Sequence, residues 1–327
     1  MNGRLHRIWI RNPILRNVFV YGAAAAIIWY VARGVSIGDL IRSFGEANLW
    51  IFIPASVLGF LIWFVGETIL FARLFTYFHK PTSVREMIQP NAGQYFLELV
   101  NLAVASGALI FFLNRRKGVP WLAGGCTLVF QGLLDVAILA AMTLVAGAIV
   151  PTSQISIGIP YATATLLGLV ALAAIFYWWK PDHGLGLWIY ERPSLISFRL
   201  AQPIHYLKLT LIRTPIFALQ GFIIYWQLLS FGVRVPLMQV FALTPAVVLI
   251  GGLPVTPVGI GPLQAIVVGG FSAYGSKAAL LATSLAVSGI NVAFRIPLGL
   301  GAAGTFAHKV RERSSENEAA TSAEASI

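Results

Sequence analysis

The stretch PLMQVFALTPAVVLIGGLPVTPVGIGPLQAIVVGGFSAYG, Pro236–Gly275, is apolar enough to enter a bilayer, yet its sequence opposes one continuous helix. Pro254, Pro257 and Pro262 lie among Gly251, Gly252, Gly259 and Gly261. Proline removes a backbone donor and clashes with the preceding turn, and glycine frees the chain to bend, so the segment breaks near its middle. Backbone broken at membrane depth must be covered by protein or line a polar cavity, because hydrocarbon offers its amide groups no partner. The region Gly251–Gln264 is therefore either the wall of a functional cavity or a structural turn between two short helices.

Composition supports a membrane as the medium. Of 327 residues, 57% are hydrophobic and only 11% charged, against about 25% charged in soluble domains. So little charge cannot cover a water-facing surface. The net charge of +11 is carried by residues between apolar runs, a placement that fits anionic lipid headgroups at the cytoplasmic face and not nucleic acid. The one cysteine, Cys126, lies in an apolar run and reads as a packing residue. YGAAAAIIWYVAR, Tyr21–Arg33, follows a basic start without a convincing cleavage site and reads as an anchoring helix.

Apolar runs at Leu15–Arg33, Trp50–Phe78, Trp121–Ile149, Ile159–Trp179, His205–Phe231 and Ala278–Gly304 suit spanning helices, which need roughly 20 residues each. A further run, Gly93–Leu113, is interrupted by Glu98 and Asn101. Under the positive-inside rule, Arg4, Arg7, Arg11 and Arg16 start inside. Arg115, Arg116 and Lys117, then Lys180, Arg192, Arg199 and Lys208, also fall inside if Arg85–Leu113 enters and leaves from that face. By the same logic Pro236–Gly275 enters and leaves from outside. The expected fold is all-α, a polytopic membrane bundle of about six spanning helices plus two oppositely oriented re-entrant hairpins, or eight full spans if both hairpins cross. Residues 1–14 form a basic cytoplasmic N-terminus, 15–304 the transmembrane domain and 305–327 a disordered cytoplasmic tail.

Charges inside such spans demand explanation, since an unpaired ion in hydrocarbon costs several kcal/mol, roughly. Glu67 in FLIWFVGETIL and Asp135 in VFQGLLDVAIL lie near the middle of their runs. Each either binds a headgroup amine or carries protons, or else is a neutral or salt-bridged packing group. Arg295 either pairs with Asp135 or Glu67 or holds a lipid phosphate in a two-pronged contact. Arg213, nearer its helix end, reads as a side chain that snorkels to the interface. Gln94, Tyr95 and Glu98 supply the inner-hairpin side of a site or sit at the interface. His6, His79, His183, His205 and His308 match no metal-ligand spacing, and no phosphate-binding loop or nucleophile elbow is present. No metal, cofactor or catalytic residue is expected.

The Pro-Gly stretch, with SLAVSGINVAFRIPLGL at Ser284–Leu300, resembles the end of the membrane domain of lysylphosphatidylglycerol synthases and related YbhN-like, flippase-like integral membrane proteins. The resemblance rests on Leu253-Pro254, Pro257, Gly259, Gly261 and Pro262 as a structural hairpin, with Gln264 where the family usually has an acidic residue. Arg295, Pro297 and Gly299 look like its later basic-Pro-Gly feature, and Asp135 like its helix aspartate. QPNAGQYFLELVN, Gln89–Asn101, matches the first family motif irregularly through Pro90, Gly93, Gln94 and Glu98. The family implies a prokaryotic plasma membrane and a phospholipid or polyprenyl/hopanoid-type lipid, with Gln264 and Asn291 orienting its headgroup. The expected function is translocation of a lipid or lipid-linked molecule between leaflets. Alternatives are an intramembrane transferase or an accessory subunit of a lipid-modifying complex, as a monomer or an oligomer.

Overall fold

The computed structural model describes residues 13–99, 102–149, 168, 178, 183–192, 195–251 and 259–324, and among these the fold is entirely helical. In chain order the helices are α1 (Pro13–Ala32), α2 (Ile37–Gly45), α3 (Leu49–Phe78), α4 (Val84–Leu97), α5 (Leu102–Lys117), α6 (Trp121–Ile149), α7 (Gly184–Tyr190), α8 (Ile196–Leu200), α9 (Pro203–Ser230), α10 (Leu237–Gly251), α11 (Pro262–Gly270) and α12 (Lys277–Glu324). By length and composition α3, α6 over Trp121–Ala146, α9 and α12 over Lys277–Ala302 can each cross a membrane. The backbone of α12 runs on into the residues of the expected tail, to Glu324. The expected span Ile159–Trp179 lies largely outside the described residues, as do Pro254 and Pro257.

Between 33% and 39% of each crossing window is buried within the protein. The remainder is apolar too, with Leu61, Val65, Leu211, Leu219 and Phe222 exposed. A skin of this kind is stable in lipid, where hydrocarbon side chains lose nothing by facing outward.

One helix lies outside the apolar-run reading. After a turn at Gly34, where φ is +80°, the chain leaves the end of α1 at 89° to form α2. Ser36 caps α2 by accepting the Asp39 amide at 3.0 Å. Ile37, Leu40, Ile41 and Phe44 follow at helical spacing; Leu40 packs inward while the other three are exposed. That pattern suits a helix lying along an interface.

Two pairs of short helices are breaks in the bundle. The first, α4 and α5, has 14 and 16 residues, or about 21 and 24 Å, less than a hydrocarbon core of about 30 Å. Its two open ends are clasped together: Lys117 Nζ meets Glu86 Oε1 at 2.7 Å and donates to the Pro81 carbonyl at 3.0 Å. Arg116 donates to Gln89 Oε1 at 2.7 Å. The second pair is α10 and α11, whose flanks meet where Val233 packs on Gly275. Gly259 and Gly261 have φ of +68° and +102°. A Cβ at Gly259 would overlap the Gly251 carbonyl oxygen, and one at Gly261 would lie within 3.4 Å of the Ala24 backbone in α1. Only glycine accommodates both the left-handed turn and the approach of these chains.

The pairs open at opposite ends of the bundle. At the start of α3, the Asn48 amide donates to the Ser230 carbonyl at 2.7 Å, and Ser230 ends α9 just before the second pair. At the other end of α3, Tyr77 stacks on His205 in the first turn of α9, and Thr82 leads into the first pair. The last helix joins both ends, with Lys277 Nζ on the Arg33 carbonyl at 2.6 Å and the Ala302 carbonyl accepting from Gln89 at 3.3 Å.

Substituting Gly259→Ala should lower the unfolding midpoint of the purified protein by the equivalent of more than the ~1–2 kcal/mol of a left-handed alanine, because backbone also blocks the new methyl. Gly269→Ala, helical with open space around it, should leave the midpoint unchanged or raise it. Hydrogen bonds from Lys117 and Ser83 hold the Glu86 carboxyl down at about 2. Its contribution to the clasp is therefore complete above the ordinary carboxylate range and lost only as pH falls toward 2. Protease nicking at the clasped open ends of the pair, beside Ser83 and Lys117, followed against pH, checks this, and a loss beginning near neutrality would contradict it.

Candidate functional site

Between the two broken pairs lies a cavity of about 690 Å³, walled by α3, α4, α6, α9 and α12 together with residues of α5, α10 and α11. Helix α3 brings Glu67 to it, and the preceding Gly66 explains the depth. A Cβ at Gly66 would overlap the Ile216 side chain, so α3 and α9 run close together there and set Glu67 beside Arg213. Helix α6 contributes Asp135 with Gln131 one turn earlier. The first pair brings Gln94, Tyr95 and Glu98 at its tip, and α12 brings Asn291 and Arg295.

Arg213 is the hub. It is 2% exposed, the largest side chain this deeply buried. Its Nε donates to Asp135 Oδ1 at 2.7 Å and its Nη2 to Asp135 Oδ2 at 2.8 Å, while Glu67 Oε1 lies 4.0 Å from Nη2. Trp63 and Phe217 flank the guanidinium at 4.8 Å from each ring centroid. This placement overturns the snorkelling expectation: the acids of α3 and α6 pull the group inward, and aromatic faces cover its plane. Arg295, expected to pair with Asp135 or Glu67, instead binds Glu98 Oε2 at 2.7 Å. The tip of the first pair reaches α12 before either of those carboxylates does. One turn beyond Arg295, Gly299 leaves the space that Phe96 fills, and a Cβ there would overlap the Phe96 side chain. The ion pair and this close approach together fix α4 against α12.

Tyr95, 1% exposed, donates its hydroxyl to Glu67 Oε2 at 2.7 Å and lies under Arg295 at 5.0 Å. Gln94 donates to Glu98 Oε1 at 3.0 Å, and Gln131 to Asp135 Oδ2 at 3.0 Å. Four buried polar atoms of cavity-lining residues lack a hydrogen-bond partner: Arg213 Nη1, Arg295 Nε, Gln94 Oε1 and Gln220 Oε1. Unsatisfied buried groups of this number in one place call for a reason.

Of the residues singled out in the sequence, Glu67, Gln94, Glu98, Asp135, Asn291 and Arg295 meet at this cavity. Asn291 spends its amide on the Val287 carbonyl one turn back, at 2.9 Å. Gln264 is not among the lining residues. Fully buried, it accepts the Gly261 amide at 2.6 Å and donates to Ser288 Oγ at 3.0 Å and the Ser284 carbonyl at 3.3 Å, tying the second pair to α12. Gly259, Gly261 and Pro262 form the described part of the second break, with Pro262 at the first turn of α11. Sequence reading left Arg213 and Gln220 out of the site. The available signal was a second cation, Arg213, deeper than Lys208 in the apolar run of α9, while Glu67 and Asp135 both lacked a counter-ion. Among the described residues, no group of three or more His, Cys, Asp or Glu is placed to hold a metal ion.

Residues 14–299 match the family described as Lysylphosphatidylglycerol synthase TM region, a range that contains both broken pairs and every charge in the cavity. No curated protein matches the chain.

Asp135→Asn should destabilise the protein by about 3–5 kcal/mol, the cost of stranding a buried charge. Glu98→Gln should cost less, because the Arg295 side chain is 16% exposed against 2% for Arg213. Denaturant unfolding of the purified variants ranks them, and equal costs would contradict Arg213 as the hub.

Proposed function

The chain belongs to the lysylphosphatidylglycerol synthase TM-region family, and from that premise we propose that it moves a phospholipid or similar lipid between leaflets, the headgroup passing through the central cavity. The observation that carries this reading is the set of unpartnered atoms. Two guanidinium donors, Arg213 Nη1 and Arg295 Nε, and two amide oxygens, of Gln94 and Gln220, belong to residues that line this one cavity and have no hydrogen-bond partner within the protein. Guanidinium donors suit a phosphate, and amide oxygens suit an ammonium or hydroxyl, so together they complement a polar lipid headgroup. Such contacts offset the desolvation that otherwise bars a headgroup from hydrocarbon.

A second cavity of about 500 Å³ borders a different set of α6 residues and is almost wholly apolar, lined by Leu134, Ile138, Met142 and Phe241 among others. One helix thus borders both a place for a headgroup and a place for hydrocarbon chains. In this reading α4–α5 and α10–α11 are re-entrant hairpins that meet near the midplane from opposite faces. The end carrying Lys80, Arg85, Arg115, Arg116 and Lys117 faces the cytoplasm, as the positive-inside rule requires. The lipids contacted there are anionic.

The test is transbilayer movement of headgroup-labelled phospholipids in proteoliposomes containing the full chain. Removing one ion pair whole, as Glu98→Gln with Arg295→Gln, avoids a stranded charge and should slow movement by about tenfold or more, the loss of one or two charge-assisted hydrogen bonds. No movement across a lipid panel would end the transport reading. A covalently altered lipid would move the assignment to an intramembrane transferase, and full activity in the double variant would reduce the pair to a packing role.

A further inference from the structure

The charges lining the cavity do not balance. Among the described residues there are three carboxylates, Glu67, Glu98 and Asp135, and two guanidinium groups, Arg213 and Arg295. Two of the carboxylates are provided for in the same way. Asp135 has Arg213 at 2.7 and 2.8 Å and the Gln131 amide at 3.0 Å; Glu98 has Arg295 at 2.7 Å and the Gln94 amide at 3.0 Å. Each therefore has a cation and an amide donor in direct contact. Glu67 has neither at that range. Its nearest cation atom is Arg213 Nη2 at 4.0 Å, and its one short contact is the Tyr95 hydroxyl at 2.7 Å. A hydroxyl rotates: it donates to a carboxylate, as here, and accepts from a carboxylic acid, so this partner can stay in contact in either protonation state.

We propose that Glu67 is a proton-binding site that loads as an anionic headgroup enters the cavity, so that proton and lipid movement are coupled. The coupling rests on the transport reading above; the proton site does not. A phosphate taken by Arg213 Nη1 shares the guanidinium already committed to Asp135. It also places another anion beside Glu67, in a cavity already lined by the carboxylates of Glu98 and Asp135. The groups facing Glu67 are Tyr95 and Glu98 at the tip of the first pair, Asp135 on α6 and Arg213 on α9, with Arg295 of α12 reaching it only through Tyr95 and Glu98. The other two carboxylates, Asp135 and Glu98, each already hold a cation at 2.7 Å. The step is a simple transfer: a proton leaves water, an O–H bond forms on a Glu67 oxygen, and the bond breaks again when the headgroup departs. Binding of one proton per phosphate makes each raise the affinity of the other by the same factor.

Infrared titration of the purified full chain tests the site directly, with glycerophosphoglycerol, an anionic phosphodiester without an amine, as the soluble headgroup probe. A carboxylic-acid C=O band should titrate, vanish in Glu67→Gln and persist in Glu98→Gln. Its midpoint should move to higher pH when the probe is added, and the probe's affinity should fall by about tenfold per pH unit above the probe-free midpoint. Tyr95→Phe keeps the ring, removes the hydroxyl and should shift the midpoint. A band that survives in Glu67→Gln, or probe binding independent of pH, would overturn the assignment. In proteoliposomes, lipid movement that ignores an imposed pH difference would refute coupling while leaving transport intact. The expected infrared titration without lipid movement would refute transport, and coupling with it, while leaving Glu67 as a proton site.

Discussion

A guanidinium only 2% exposed, inside a protein whose outer skin is hydrocarbon, sets the terms for everything around it. Moving such an ion out of water costs several kcal/mol even after relaxation, about what a small domain has in net stability. Arg213 therefore needs both its counter-ion and a complete protein envelope. Asp135 supplies the first, from α6, and Glu67 adds a second, looser carboxylate from α3. The envelope is harder to build. Helices crossing side by side leave a gap between them wherever one carries a bulky polar group, and two long helices with Gly66 between them can close only one side of that gap.

The broken pairs close the rest. At about 21 Å, α4 reaches roughly half the length of the 30-residue α3. Its tip therefore arrives beside the buried charges, where a continuous span would have carried Glu98 past them. The two pairs use different chemistry for the same geometry. The first is fixed by an ion pair, Arg295 with Glu98, beside the close contact of Phe96 with Gly299. The second is fixed by a neutral amide, Gln264, which holds the amide left open at Gly261 and the hydroxyl of Ser288. A neutral amide in full burial avoids the desolvation that a carboxylate at the same position would incur. That is a physical reason for glutamine to stand where the family usually has an acid.

How much of this the sequence carried follows from what one-dimensional patterns encode. Run length and Pro-Gly punctuation report depth and breaks, so the described spans, the interruption at Glu98 and the break after Gly251 were all legible. Azimuth is another matter. In long runs apolar on every side, no periodicity distinguishes the face turned to a neighbour from the face turned to lipid. Arg213 was consequently placed by its distance from the helix end, which permits snorkelling, when its direction around α9 points it at Asp135. Gln264 shows the complementary limit: its position beside the break is legible, but two of its three hydrogen bonds depend on the docking of α12. The helix α2 went unread because nine residues are too few for a span. Its cap at Ser36 and apolar spacing of Ile37, Ile41 and Phe44 were nevertheless present.

The self-pairing of the cavity also bears on what kind of site it is. A pocket built to retain an anion would present its cations unopposed. Here both guanidiniums already hold carboxylates, so an incoming phosphate gains by exchange and not by meeting bare charge. The gain is then confined to the donors that the carboxylates leave free, at Arg213 Nη1 and Arg295 Nε, and the competing carboxylates remain at hand when the ligand leaves. Passage requires binding strong enough to admit a ligand and weak enough to release it. Under the proposed transport, paired charges around one cavity between two broken helix pairs fit that requirement without needing either arginine to be exposed to hydrocarbon.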